Sequence, residues 1–234
     1  MVQSFVDQGL LPRNVVALVE RPADTDTDDA QTDGTERAAK SWTVAEVEWF
    51  RQSVRDDRLY ACWLLSCYGL RRSEVLGLRW SAIDGDVLRV RRGRVAVGGE
   101  TVEGAPESRR SRRELPMPAE LAEALRTLKT RQRAEALALG VAWSDERLIA
   151  VREDGTPVRP DWYSDTFDRL RKRAGLRRIK LHGLRNTSVS LMLDQGIPVH
   201  IVAAWHGHDP AVSLSIYSDA KADELRVAGA SLFG

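Results

Sequence analysis

The chain has 234 residues, 43% hydrophobic and 29% charged, with a formal net charge of +1. That is the make-up of a soluble globular protein with one sizeable domain and an appendage. No apolar run approaches the ~20 residues that span a bilayer, and no signal-peptide pattern opens the sequence.

In chain order, residues 1–20 hold a short helix-like segment, then Gly9, Pro12 and a second apolar patch. Residues 20–37 carry seven acids and two bases with almost no apolar side chains, the composition of a linker, placed at 21–40. Without that stretch the chain has 33 bases (35 less 2) against 27 acids (34 less 7), a net of +6. Thr43-Val44-Ala45-Glu46 reads as a capping box opening a helix toward Val54. Residues 59–68 form a nearly all-apolar helix, stopped by Gly69, at the centre of the core. Its two cysteines, Cys62 and Cys67, point about 140° apart on that helix and read as buried thiols rather than a disulfide. Residues 73–80 are a further helix. Residues 87–91 alternate like a strand, Gly98-Gly99 marks a turn, and residues 114–118 close a small antiparallel sheet. Helices follow over 119–139, over 161–174 with Phe167 and Leu170 inward, and over 182–195, 198–205 and 212–217. The class is mainly α with a small antiparallel β-sheet (α+β).

Four motifs carry chemistry. The last quarter holds His182-x-x-Arg185, then Gly207-His208, then Tyr217 nine positions on; far upstream stands Gly69-Leu70-Arg71-Arg72-Ser73-Glu74. A phosphodiester resists nucleophiles because its non-bridging oxygens are negative, and guanidiniums on both sides neutralise that charge. Arg71 and Arg185 fit this role, with Glu74 on the helical face that can hold Arg71. His182 and Arg185, at i and i+3, bring a proton-handling group and a phosphate clamp to one face. His208 can donate to a non-bridging oxygen, and Tyr217 can attack phosphorus. Each piece alone has a plainer reading: Arg71 and Glu74 as a surface ion pair, His182 and Arg185 as structural, Tyr217 as a core aromatic. A metal cluster of His182, His200, His206 and His208 lacks the ordered spacing of zinc sites. Two basic runs stand beside these motifs, residues 169–185 with eight Lys or Arg and no acid, and residues 109–113 with four Arg. Such runs are usually solvated faces. Next to phosphate chemistry, Arg109, Arg110, Arg112, Arg113, Arg171, Lys172, Arg173, Arg177, Arg178 and Lys180 read as contacts to a nucleic-acid backbone.

In this order and spacing the motifs resemble the tyrosine recombinase (phage integrase) family, over roughly residues 40 to 225. The resemblance implies that family's catalytic-domain fold over residues 41–234, with residues 1–20 matching the final helix of an N-terminal DNA-clamping domain. It implies a site-specific recombinase that cuts and rejoins DNA through a 3′-phosphotyrosyl link, in a bacterial cytoplasm and on mobile-element DNA. The partner is double-stranded DNA, held by a homo-tetramer that is a monomer without it, with residues 219–234 packed on a neighbouring subunit. No metal or other cofactor is expected. The alternatives are a catalytically impaired DNA-binding regulator and a type IB topoisomerase.

The chain departs from the family at Glu107, where a hairpin lysine commonly protonates the leaving 5′ oxygen. Asn186 stands where histidine often follows the second arginine, and His206 where leucine is usual. No lysine occurs between Lys40 and Lys129, and arginine is a poor proton donor because its pKa exceeds about 12. Glu107→Lys is therefore expected to raise the cleavage rate on a nicked DNA substrate. An unchanged rate would put the hairpin in another register.

Overall fold

In a computed structural model the described residues are 41–97, 100–104 and 111–217; of 97, 100 and 215–217 the backbone alone is described. Residues 1–20 and 21–40, Glu107, Arg109, Arg110 and the segment 219–234 lie outside them. The elements are helix α1 (Val44–Ser53), α2 (Tyr60–Cys67), α3 (Arg72–Gly77), a 3₁₀ turn (Trp80–Ala82) and strands β1 (Ile83–Asp84), β2 (Val87–Val90), β3 (Gly93–Val97), β4 (Glu100–Gly104) and β5 (Arg113–Pro116). Helices α4 (Ala119–Ala138), α5 (Pro160–Arg173), α6 (Gly183–Asp194), α7 (Val199–His206) and α8 (Pro210–Tyr217) complete them. No described helix is long and apolar enough to cross a membrane.

The capping box forms as read: the Thr43 amide donates to Glu46 Oε2 at 2.7 Å, and the Glu46 amide donates to Thr43 Oγ1 at 3.3 Å. Helix α1 then buries Val47 and Phe50. Helix α2 is the core's axis, with every residue from Ala61 to Ser66 buried. Trp63 stacks on Tyr163 of α5, centroids 4.3 Å apart, and the Tyr163 hydroxyl donates to Cys62 O at 2.9 Å. Trp42, Phe50 and Phe167 form an aromatic triangle with centroids 5.3 to 5.7 Å apart. Both cysteines are free; Cys62 is buried as expected, whereas Cys67, at the end of α2, is half-buried. The long α4 buries Leu121, Leu125, Leu128, Gln132 and Ala136 on one stripe. Its Gln132 accepts from the Trp80 indole at 3.0 Å and donates to Ile149 O at 2.7 Å, so the buried amide is satisfied.

The strands form two separate pairings. One sheet has the antiparallel order β1-β2-β5, with Leu88 opposite Leu115 and Val90 opposite Arg113; β3 and β4 make an independent hairpin. The expected helix over 73–80 stops instead at Gly77, and Trp80 lies in the 3₁₀ turn. The reason is contact: a Cβ on Gly77 would lie 2.9 Å from the Gly93 backbone, so α3 rests directly on β3. The last helix starts earlier than expected, with Pro210 as its first residue, where the missing N–H costs nothing.

Gly77→Ala is expected to destabilise the fold by about 1–3 kcal/mol, the range for overpacking, measured by urea denaturation. An unchanged midpoint would show that β3 moves aside freely.

Candidate functional site

Helix α7 ends at Gly207 in the left-handed region (φ +66°), and its last carbonyls have no partner inside the helix. They are negative ends of the helix dipole, and three guanidiniums take them. Arg113 Nε donates to Trp205 O at 2.6 Å, and Arg185 Nη2 donates to His206 O at 2.5 Å. Arg71 reaches His206 O at 3.5 Å and Gly207 O at 3.4 Å. Arg71 and Arg185 thus share one oxygen. Chain elements over a hundred residues apart are brought to one point.

Such a crowd of cations needs an anion. Glu74, buried one turn into α3, accepts from Arg113 Nη1 at 2.8 Å and Nη2 at 3.0 Å. It also accepts from Arg71 Nη1 and from the Arg71 amide, both at 2.9 Å. Burial would raise the Glu74 carboxyl pKa, but the Arg113 hydrogen bonds and the charges of Arg113, Arg71 and Arg185 prevail and hold it at about 2. Three guanidiniums and one carboxylate leave two positive charges before any histidine is counted. Arg71 keeps 27% of its side chain exposed, so it can still take an external anion.

Arg185 is held from behind as well. Its Nη1 donates to Gly69 O at 2.7 Å. Gly69 is confined to glycine twice over: its φ is +86°, and a Cβ there would lie 2.5 Å from His206 Nε2. His206 is fully buried, with Nδ1 2.8 Å from Val202 O and Nε2 3.1 Å from Ser188 Oγ. Both its nitrogens are spent on the protein, so it cannot join a four-histidine metal cluster. His208 stacks on it with ring centroids 5.6 Å apart. Its Nδ1 lies 3.3 Å from Arg185 Nη2 and its Nε2 2.7 Å from Ser213 Oγ. Burial first, then the Arg185 charge, pushes His206 down to about 3 and His208 down to about 4. Both rings are neutral at pH 7, and Nδ1 of His208 is free to accept from Arg185.

His182 is half-buried at the N-cap of α6, its carbonyl accepting from the Arg185 amide at 3.0 Å. Helix α8 follows the Gly207 turn and ends at Tyr217, whose side chain lies outside the described residues.

Two of the expected backbone contacts are corrected. Arg113 has 6% of its side chain exposed and is a buried clamp, because it shares the inward face of β5 with Leu115. Arg171 is buried too, donating to Asp168 Oδ1 at 2.5 Å and to Leu176 O at 2.9 Å, where it closes the end of α5. Exposed positions remain at Arg112, Lys172, Arg173, Arg177, Arg178 and Lys180. Arg177 is engaged with Glu46 at 2.6 Å. Sequence reasoning read Arg113 as a backbone contact and missed its place in the buried cluster on Glu74, although the two-residue alternation of β5 carried the signal. It also missed Ser213, for which no local signal existed.

A model of the phage integrase family matches residues 44–224. The chain is 28% identical over 199 residues to a tyrosine recombinase XerC-like protein of Caldanaerobacter subterraneus subsp. tengcongensis, covering 78% of this chain and 51% of that protein. It is 29% identical over 169 residues to the ICEBs1 integrase of Bacillus subtilis, covering 69% and 45% respectively. The chain spans about half the length of these curated relatives. Among solved structures, the Tn1549 transposon integrase in complex with transposon right end DNA superposes with a TM-score of 0.70 at 21% identity, over 97% of this chain and 74% of that one. XerA recombinase superposes with a TM-score of 0.62 at 20% identity, over 83% and 65%. The fold is therefore that of tyrosine recombinase catalytic domains, as expected from the sequence.

The neutral histidines make stability depend on pH. Unfolded, each binds a proton near pH 6.5; folded, neither does until about 3 to 4. The unfolded chain thus holds more protons, so stability falls as pH drops below about 6.5. Glu74 adds a second loss below its unfolded value of 4.5, toward 2. His206→Leu is expected to remove about half of the stability slope between pH 6.5 and 4.5, followed by denaturation at several pH values. An unaltered slope would mean the ring is already protonated in the fold.

Proposed function

We propose that this chain, which belongs to the phage integrase family, is the catalytic part of a site-specific DNA recombinase working through Tyr217. One observation carries the reading: Arg71, Arg185 and His208 gather at the end of α7, immediately before the helix that delivers Tyr217. The surplus of two positive charges suits phosphoryl transfer. A phosphodiester carries one negative charge, and the crowded state formed when a phenolate oxygen attacks it carries two.

In this reading Arg71 and Arg185 bind the non-bridging oxygens, with His208 donating to one of them. His182 takes the phenolic proton as the Tyr217 oxygen bonds to phosphorus. The bond from phosphorus to the 5′ oxygen breaks, and that oxygen leaves as a hydroxyl after gaining a proton from solvent, since Glu107 replaces the usual lysine. The 3′-phosphotyrosyl link conserves the bond for attack by a 5′ hydroxyl of the partner strand. Double-stranded DNA is the substrate, a reading supported by a neighbour of the same fold solved in complex with transposon right end DNA. The exposed cations Arg112, Lys172, Arg173, Arg178 and Lys180 extend the contact along the backbone. Assembly as a tetramer on two duplexes follows the family, with the bacterial cytoplasm as its place of action. A clamp segment at residues 1–20 and a linker at 21–40 complete the domain plan.

The test is a duplex nicked close to the scissile phosphate, which traps the covalent intermediate. Wild-type chain is expected to give an adduct resistant to denaturing detergent, and Tyr217→Phe none. Intact DNA binding without adduct in the wild type would favour the impaired regulator, a reading that Glu107 supports. Relaxation of supercoils without recombinant product would favour the topoisomerase.

A further inference from the structure

Helix α8 inverts the usual burial pattern. Val212 and Leu214 are 43% and 54% exposed, while the polar Ser213 between them is 0% exposed. A serine within a helix ordinarily turns its hydroxyl back to the preceding turn; Ser213 directs it across to His208 Nε2, at 2.7 Å. The opposite ring nitrogen faces Arg185 at 3.3 Å, and the ring plane is fixed by stacking on His206.

We infer that Ser213 is a positioning residue for His208: its hydroxyl holds Nε2, so that Nδ1 is the nitrogen presented to the phosphate beside Arg185. This rests on the reading that His208 touches the phosphate. A hydroxyl both donates and accepts, which is what the ring needs. Without DNA, Nδ1 accepts from Arg185 and Nε2–H donates to Ser213. When a phosphate draws the Arg185 N–H away, the ring proton exchanges through water to Nδ1. There it donates to a non-bridging oxygen, while Nε2 accepts from the Ser213 hydroxyl. Ser213 also lies four residues before Tyr217 in α8. One hydrogen bond therefore seats the nucleophile's helix and orients the histidine.

The full chain with Ser213→Ala and Ser213→Thr provides the test. Ser213→Ala is expected to slow single-turnover cleavage of the nicked duplex about tenfold or more, as orienting partners of a functional ring do, with DNA affinity within about twofold. Ser213→Thr restores the rate, because it keeps the hydroxyl. Wild-type or faster cleavage by Ser213→Ala would overturn the assignment, as would failure of threonine to rescue it, since simple packing would then explain the loss. The ¹⁵N shifts of His208 in the DNA-free protein give an independent reading: they are expected to move in Ser213→Ala, and unchanged shifts also overturn it. Absence of any adduct in the wild type would instead defeat the proposed activity, leaving the shifts to judge the contact.

Discussion

The Glu74 carboxylate is the interaction on which the site depends. Four hydrogen bonds reach it, two from Arg113, one from the Arg71 side chain and one from the Arg71 amide. A buried charge is tolerated only when it is paired and fully hydrogen-bonded, and each lone pair of Glu74 has its donor. Removing the carboxylate would leave Arg113 in the interior with no counter-charge, and Arg71 with only the long contacts to the carbonyls of His206 and Gly207 to direct it. Its position at the third residue of α3 explains how so short a helix can carry this burden, since the amide of the N-cap residue lies within its reach.

The second constraint is where the guanidiniums turn next. Cations repel one another, and the fold offsets this with the carbonyls at the end of α7 as well as with one acid. The arrangement keeps a positive field, and burial first, then that field, holds both histidines neutral. A neutral imidazole can still donate a hydrogen bond.

Much of the fold was legible because local rules and burial agree. The capping box at Thr43, the apolar run that became α2 and the helical stripe of α4 each left one solution. Arg71, Glu74, Arg185 and His208 were legible as a set through their spacing, and the structure brings their side chains together. What escaped was orientation within a run of like residues. Arg112 and Arg113 are neighbours in sequence, yet a strand sends them to opposite faces, one exposed and the other onto Glu74. Arg171 and Lys172 divide in the same way on α5. A list of charges cannot reveal that division without the secondary structure beneath it. The length of α3 escaped for a different reason, because the close approach of Gly93 to Gly77 is a tertiary contact.

The two cysteines of α2 have a practical consequence. They are the chain's whole complement of thiols, and burial first of all pushes both up to about 12. The thiolate is the species that reacts, so at neutral pH the raised pKa disfavours labelling of both the buried Cys62 and the half-buried Cys67. A cysteine introduced at an exposed position such as Leu137 would take the label selectively, leaving the native interior untouched for fluorescence measurements.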